Sequence, residues 1–132
     1  MSARASLDTV RTWATTAARA ASEKQGRDTV VLAVGRVLAI TDAFVITSGA
    51  NPRQVRTIAE AVEEQVKGVG GPAPVRIEGL DDARWVLMDY GDFVVHVLLE
   101  DAREFYALER LWGDGEVWDW DDLRPAGVAA AE

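Results

Sequence analysis

The sequence predicts an α/β domain in which a sheet of about five strands is flanked by helices, and three observations carry that reading. Apolar residues recur at spacings of three and four over 6–25 and again from 52 to about 67, the period of a helix with one buried side. The remaining apolar segments are short runs rich in β-branched and aromatic residues, the pattern of strands. The punctuation between the two patterns, above all Gly49-Ala50-Asn51-Pro52, is the kind that turns a strand into a helix. The resulting order is helix-β-β-helix-β-β-β-helix in 132 residues, a length that fits one domain able to bury about two-thirds of its unfolded surface.

In the first helix, Leu7, Val10, Ala14, Ala17, Ala18 and Ala21 form the stripe, Ser6 suits the N-cap and Gly26 the stop. A stripe made mostly of alanine lets this helix lie close against its neighbour, and Trp13 lies beside it. Val30 to Val34 is a continuous apolar run, a strand buried on both faces, and Ala43 to Ser48 is a second. Ile40-Thr41-Asp42 connects them. Gly49 then permits a sharp turn, Asn51 caps, and Pro52 occupies the first helical position, where a missing N–H costs nothing. Val55, Ile58, Ala59, Val62 and Val66 are the buried side of this second helix, and the glycines and prolines of 68–74 form the loop after it.

Val75 to Glu78 alternates as a short strand, and Trp85 to Leu99 reads as a hairpin around Asp89-Tyr90-Gly91-Asp92. With Tyr90-Gly91 as a two-residue loop, Leu87 would pair with Val94 and Trp85 with His96 on one face, and Met88 with Phe93 and Val86 with Val95 on the other. Both faces are apolar, so both require cover. A last helix is predicted from Asp101 to Trp112, ended by Gly113. The organisation is one domain over 1–115 followed by an acidic tail, 116–132, that carries Trp118 and Trp120 and ends in a disordered Ala-rich segment. Those two tryptophans could add an edge strand, cover the sheet, or meet a partner.

Charge is distributed unevenly. Residues 1–77 carry a net +3, residues 78–122 a net −11, and the whole chain −8. The acidic half repels phosphate and attracts a basic protein surface, so a nucleic acid is a poor partner for it. The same charge would serve solubility alone. The absence of cysteine removes disulfides, Cys-zinc sites and a thiol nucleophile. No secretory leader and no apolar run near the length of a membrane span is visible, so the cytoplasm is the expected location.

Four stretches, Thr41-Asp42-Ala43-Phe44-Val45-Ile46-Thr47-Ser48-Gly49, Arg53-Gln54-Val55-Arg56-Thr57-Ile58-Ala59, Trp85 through His96, and Arg103 through Trp112, resemble the Iojap family of ribosomal silencing factors. The resemblance covers about residues 6–113 and leaves out the tail. It implies a mixed sheet flanked by helices, with a nucleotidyltransferase-like topology that lacks that superfamily's catalytic residues. It also implies a homodimer without a cofactor that binds large-subunit ribosomal protein fourteen, on the intersubunit face. A protein bound there blocks joining of the small subunit and lowers translation. Trp85, Asp89 and Tyr90, with Gly91 and Asp92 beside them, match the family's contact region.

Each of these residues has a second reading. Trp85 and Tyr90 are either aromatic anchors of an interface or hairpin packing. Asp89 and Asp92 suit a turn as well as a basic partner, and supply too few ligands for a metal. His96 is the only histidine; with no nucleophile marked beside it, it is either structural or part of the partner-binding surface, where it could position Trp85. Thr47-Ser48-Gly49 ahead of a helix invites a rival function, a divergent metal-dependent nucleotidyltransferase or phosphohydrolase using Ser48. That chemistry requires alternating carboxylates on a neighbouring strand, and Asp81-Asp82 is adjacent rather than alternating.

Overall fold

The computed structural model describes residues 5–35, 41–106 and 116–120. The elements are α1 (Leu7–Glu23), β1 (Arg27–Ala33), β2 (Ala43–Gly49), α2 (Pro52–Gly68), β3 (Arg76–Glu78), β4 (Trp85–Asp89), β5 (Phe93–Leu99), α3 (Glu100–Tyr106) and β6 (Glu116–Trp118). The strands form one mixed sheet in the order β3-β4-β5-β2-β1-β6, parallel between β2 and β5 and antiparallel elsewhere. Its strands number six among the described residues, one more than the sequence predicts.

The parallel central pair explains the sequence of β2. Every residue from Ala43 to Gly49 is buried, because β2 has strands on both sides and packed side chains on both faces. On one face lie α1 and α2, which pack against each other and against β1, β2, β4 and β5. The predicted stripes are buried except at Leu7, which is exposed in the first turn: Val10, Ala14, Ala17, Ala18 and Ala21 on α1, joined by Ala20, and Val55, Ile58, Ala59, Val62 and Val66 on α2. They meet Val31, Val45, Val86, Met88, Phe93, Val95 and Val97 from the sheet.

Local chemistry sets the ends of both long helices. The Ser6 hydroxyl accepts from the Thr9 N–H at 3.2 Å, and the Asn51 side chain accepts from the Gln54 N–H at 2.9 Å. Beyond α1 the Gln25 N–H donates to the Ser22 carbonyl and the Gly26 N–H to the Ala21 carbonyl, which places Gln25 rather than Gly26 at positive φ. Glycine is still required at 26, since a Cβ there would lie 2.6 Å from the Thr47 hydroxyl.

The tail tryptophans combine two of their three predicted options. Residues Glu116–Trp118 add an edge strand to β1, with Leu32 opposite Val117. Trp118 is buried beneath Arg11, whose guanidinium sits 5.0 Å from the ring centroid. Trp120 packs on the core and its indole N–H donates to the Thr29 carbonyl at 2.9 Å. The strand and both indoles therefore pack with the folded body. The predicted helix residues after Tyr106, the stop at Gly113 and the Ala-rich end lie outside the described residues.

Candidate functional site: the open face of the hairpin

The hairpin differs from its predicted register by two residues. Asp89 stands opposite Val94, Leu87 opposite His96 and Trp85 opposite Leu98. Tyr90 and Phe93 continue the ladder, the Tyr90 N–H donating to the Phe93 carbonyl at 2.9 Å, so the loop is Gly91-Asp92. Two forces set this. Gly91 holds a φ of 84°, and an Asp89 carboxylate oxygen accepts from its N–H at 2.8 Å, fixing the turn one residue later than predicted. A shift of two preserves which side chains share a face. Trp85, Leu87, Asp89, Val94, His96 and Leu98 do lie together, opposite α1 and α2, as the sequence required.

This second face is covered differently. Leu32, Val34, Phe44, Ile46 and Leu98 are buried there together with Ala102 of α3. Toward the hairpin the burial loosens: Trp85, Leu87 and Val94 are each half-buried. They form an apolar strip that runs to Asp89, whose side chain is 25% exposed. Asp89 also pairs with Arg76 across the neighbouring strand at 3.2 Å, and Arg76 in turn with Glu78 at 3.1 Å. Beside the turn, the Asp92 carbonyl accepts from the Asp42 N–H at 2.8 Å, tying the hairpin to the start of β2.

The structure separates the site residues into two groups. Trp85, Asp89, Gly91 and Asp92 reach the surface. Tyr90 and His96 do not. Tyr90 is 4% exposed, with its ring stacked on Phe93 at 4.5 Å and 5°. It is a core residue and not an exposed anchor, because the later turn places it in the ladder with its side chain on the helix-covered face. Burial first, and the charge of Glu63 second, push its phenol well above the ordinary range.

His96 is 5% exposed, with Phe44 edge-on to its ring at 4.7 Å. Its Nδ1 accepts a hydrogen bond from Trp85 Nε1 at 3.1 Å. Burial lowers its pKa from 6.5 to about 4. The unfolded chain therefore takes up a proton below pH 6.5 that the folded chain refuses until about pH 4. Stability from this group is present above 6.5 and is lost as pH falls toward 4, by roughly 3 kcal/mol at most. Urea unfolding at pH 7 and pH 4.5 should show that loss, and His96→Leu should show correspondingly less. Equal losses in the two chains would refute the assignment.

The position predicted for phosphate chemistry is occupied by the protein itself. Ser48 is buried; its hydroxyl donates to the Arg27 carbonyl at 3.0 Å and accepts from Arg103 Nη1 at 3.4 Å. At the start of α2 the Ala50 N–H donates to Gln54 Oε1 at 2.7 Å, and the Gln54 amide donates onward to the Lys24 and Gln25 carbonyls. Among the described residues no group of three His, Asp or Glu could hold a metal ion, and no helix is long and apolar enough to cross a membrane. Three participants escaped the sequence reading: Arg76, which partners Asp89; Arg103, buried behind Ser48; and Gln54, which closes the helix end. Arg76 and Arg103 act through a register or crossing that local pattern does not encode, whereas Gln54, three residues after the Asn51 cap, has the spacing of a capping box and was legible.

The family model described as "Ribosomal silencing factor during starvation" matches residues 7–132, so the match runs through the tail that the resemblance left out. "Ribosomal silencing factor RsfS" of Bacillus subtilis is 40% identical over 105 residues, 80% of this chain and 88% of that protein. "Mitochondrial assembly of ribosomal large subunit protein 1" of Mus musculus is 34% identical over 92 residues, 68% of this chain and 40% of that one. A crystal structure of a Chromobacterium violaceum protein superposes with a TM-score of 0.73 at 33% identity, covering 76% of this chain and 83% of that chain.

Proposed function

The chain belongs to the ribosomal silencing factors, a family with a ribosome-associated, translation-silencing role, and from that premise we propose that it docks on the large ribosomal subunit through the open face of the β4–β5 hairpin. The contact is with large-subunit ribosomal protein fourteen. The bound protein occupies space that the small subunit needs, and translation falls because the subunits do not join. The mechanism is steric, and requires neither a cofactor nor turnover; the family is named for silencing, not for an enzymatic activity. It operates in the cytoplasm, with the free protein a homodimer.

The observation that supports this reading is the half-buried strip of Trp85, Leu87 and Val94 ending at Asp89, on a sheet whose opposite face is closed by α1 and α2. An indole flanked by aliphatic side chains, with a carboxylate at the rim, is the chemistry of an interface centre beside a basic partner. The net −11 of residues 78–122 would steer it toward a cationic ribosomal protein.

The test is co-sedimentation. The purified chain should migrate with isolated large subunits and, when added before small subunits, should reduce the fraction of joined ribosomes. Migration with small subunits alone, or joining at the same extent with saturating protein, would refute the reading. Metal-dependent turnover of nucleoside triphosphates would favour the rival enzyme.

A further inference from the structure

We infer that His96 is a positioning residue for the docking surface: its Nδ1 fixes the attitude of the Trp85 indole, so that the half-buried ring is presented in one orientation. The inference rests on the docking reading given above.

An apolar position in the centre of β5 would ordinarily take Val, Ile or Leu. The flanking residues Val95 and Val97 do so, and His96 sits among them nearly enclosed. The residue directly opposite is Leu87; Trp85 is the diagonal neighbour, which only a long side chain can join to His96. The rings are 6.0 Å apart and the Trp85 Nε1–His96 Nδ1 distance is 3.1 Å. An indole N–H can only donate, so Nδ1 must be bare and the imidazole proton must sit on Nε2. Phe44 packs edge-on against the imidazole at 4.7 Å, and Ile46 lies opposite it on β2. The acceptor is therefore backed by two residues of β2, on the side away from β4, while the indole it grips stays partly exposed. An anchor held in its bound rotamer loses less freedom on docking, which raises affinity without adding a contact.

Protonation of His96 would replace the acceptor by a second donor facing the indole N–H. On the elements packed against this face, the charged groups are Asp89 of β4, paired with Arg76, and Glu100, Asp101, Arg103 and Glu104 of α3. Glu100 pairs with Arg27 and Asp101 with Arg84. β2 carries no titratable side chain. On the opposite face α2 carries Arg53, Arg56, Glu60, Glu63, Glu64 and Lys67, and α1 carries Asp8, Arg11, Arg19 and Glu23.

The experiment compares His96→Leu, which keeps the bulk and removes the acceptor, with His96→Asn, whose Oδ1 stands near the place of Nδ1. Affinity for isolated large subunits is measured together with the Trp85 indole N–H resonance, assigned by its absence in Trp85→Phe. The expected result is about tenfold weaker binding and a shifted indole resonance for His96→Leu, with recovery of both in His96→Asn. Full affinity in His96→Leu while Trp85→Ala loses binding overturns the positioning role alone. Full affinity in Trp85→Ala overturns the docking reading itself. If His96→Leu does not fold, nitrogen-15 spectra of the native chain decide: a protonated Nε2 and bare Nδ1 are required, and the opposite tautomer refutes the inference.

Discussion

Trp85→Ala should weaken binding to isolated large subunits about thirtyfold or more, while the circular dichroism spectrum stays that of the native chain. The magnitude follows from the role: a tryptophan at the centre of an interface commonly contributes about 2 kcal/mol or more on truncation. The loss has to be separated from damage to the hairpin, because truncation also leaves the buried His96 Nδ1 without its donor. That orphan costs about 1–3 kcal/mol of stability, so some decrease in Tm is expected. Trp85→Phe carries the same orphan with less change in shape, and should bind better than Trp85→Ala at similar stability. Asp89→Asn is the companion test. It removes the charge but keeps an oxygen for the Gly91 N–H, so the turn survives and only the association rate should fall, more at low salt. Asp89→Lys should abolish binding, but it loses that cap as well as the Arg76 pair. Unaltered binding in Trp85→Ala would remove this face from consideration, and unaltered binding in Asp89→Lys would remove Asp89 from the contact.

Phe93→Ala should be the most damaging single truncation for folding among these variants. Phe93 is fully buried, stacked on Tyr90, with Trp13 of α1 at 6.5 Å. It stands where the hairpin turn, α1 and the parallel β2–β5 pair converge, opposite Ala43. Replacing a fully enclosed Phe by Ala costs about 3–5 kcal/mol, a large share of the 5–15 kcal/mol typical of a domain. Thermal unfolding should show a fall in Tm of about 10 °C or more, and ribosome binding should be lost only through unfolding. Retention of native Tm would mean that this junction is not as closely packed as the structure shows.

Much of the architecture was legible in the sequence because it is written in periodicity and capping. Apart from the exposed Leu7, the predicted stripe residues of α1 and α2 are buried, and Ser6, Asn51 and Pro52 stand where helix chemistry places them. The two faces of the hairpin were legible for the same reason: a period of two survives a register shift of two. The register itself was not. Tyr90-Gly91 and Gly91-Asp92 are both acceptable loops by residue type, and the choice is made by the Asp89 carboxylate reaching the Gly91 N–H and by room for Tyr90 against Phe93. That error moved Tyr90 from the predicted surface into the core. The sixth strand stayed one of three options for the tail because three residues, Glu116-Val117-Trp118, are too few to show alternation, and their partner lies far away in the chain. Trp85 and Asp89 could be placed on one face from sequence; that they remain partly exposed while His96 closes behind them could not.

The rim formed by Glu116–Trp118 has a consequence for biogenesis. β1 is made early, yet the strand that closes its outer side comes roughly eighty residues later. At about 5–20 residues per second, roughly 4–16 s of synthesis separate the two. Throughout that interval the outer backbone edge of β1, beside Val31 and Leu32, has no mate from its own chain. A nascent chain stalled before residue 116 would therefore carry an open template for strand exchange, whereas one released after residue 120 has Trp118 and Trp120 to latch it shut.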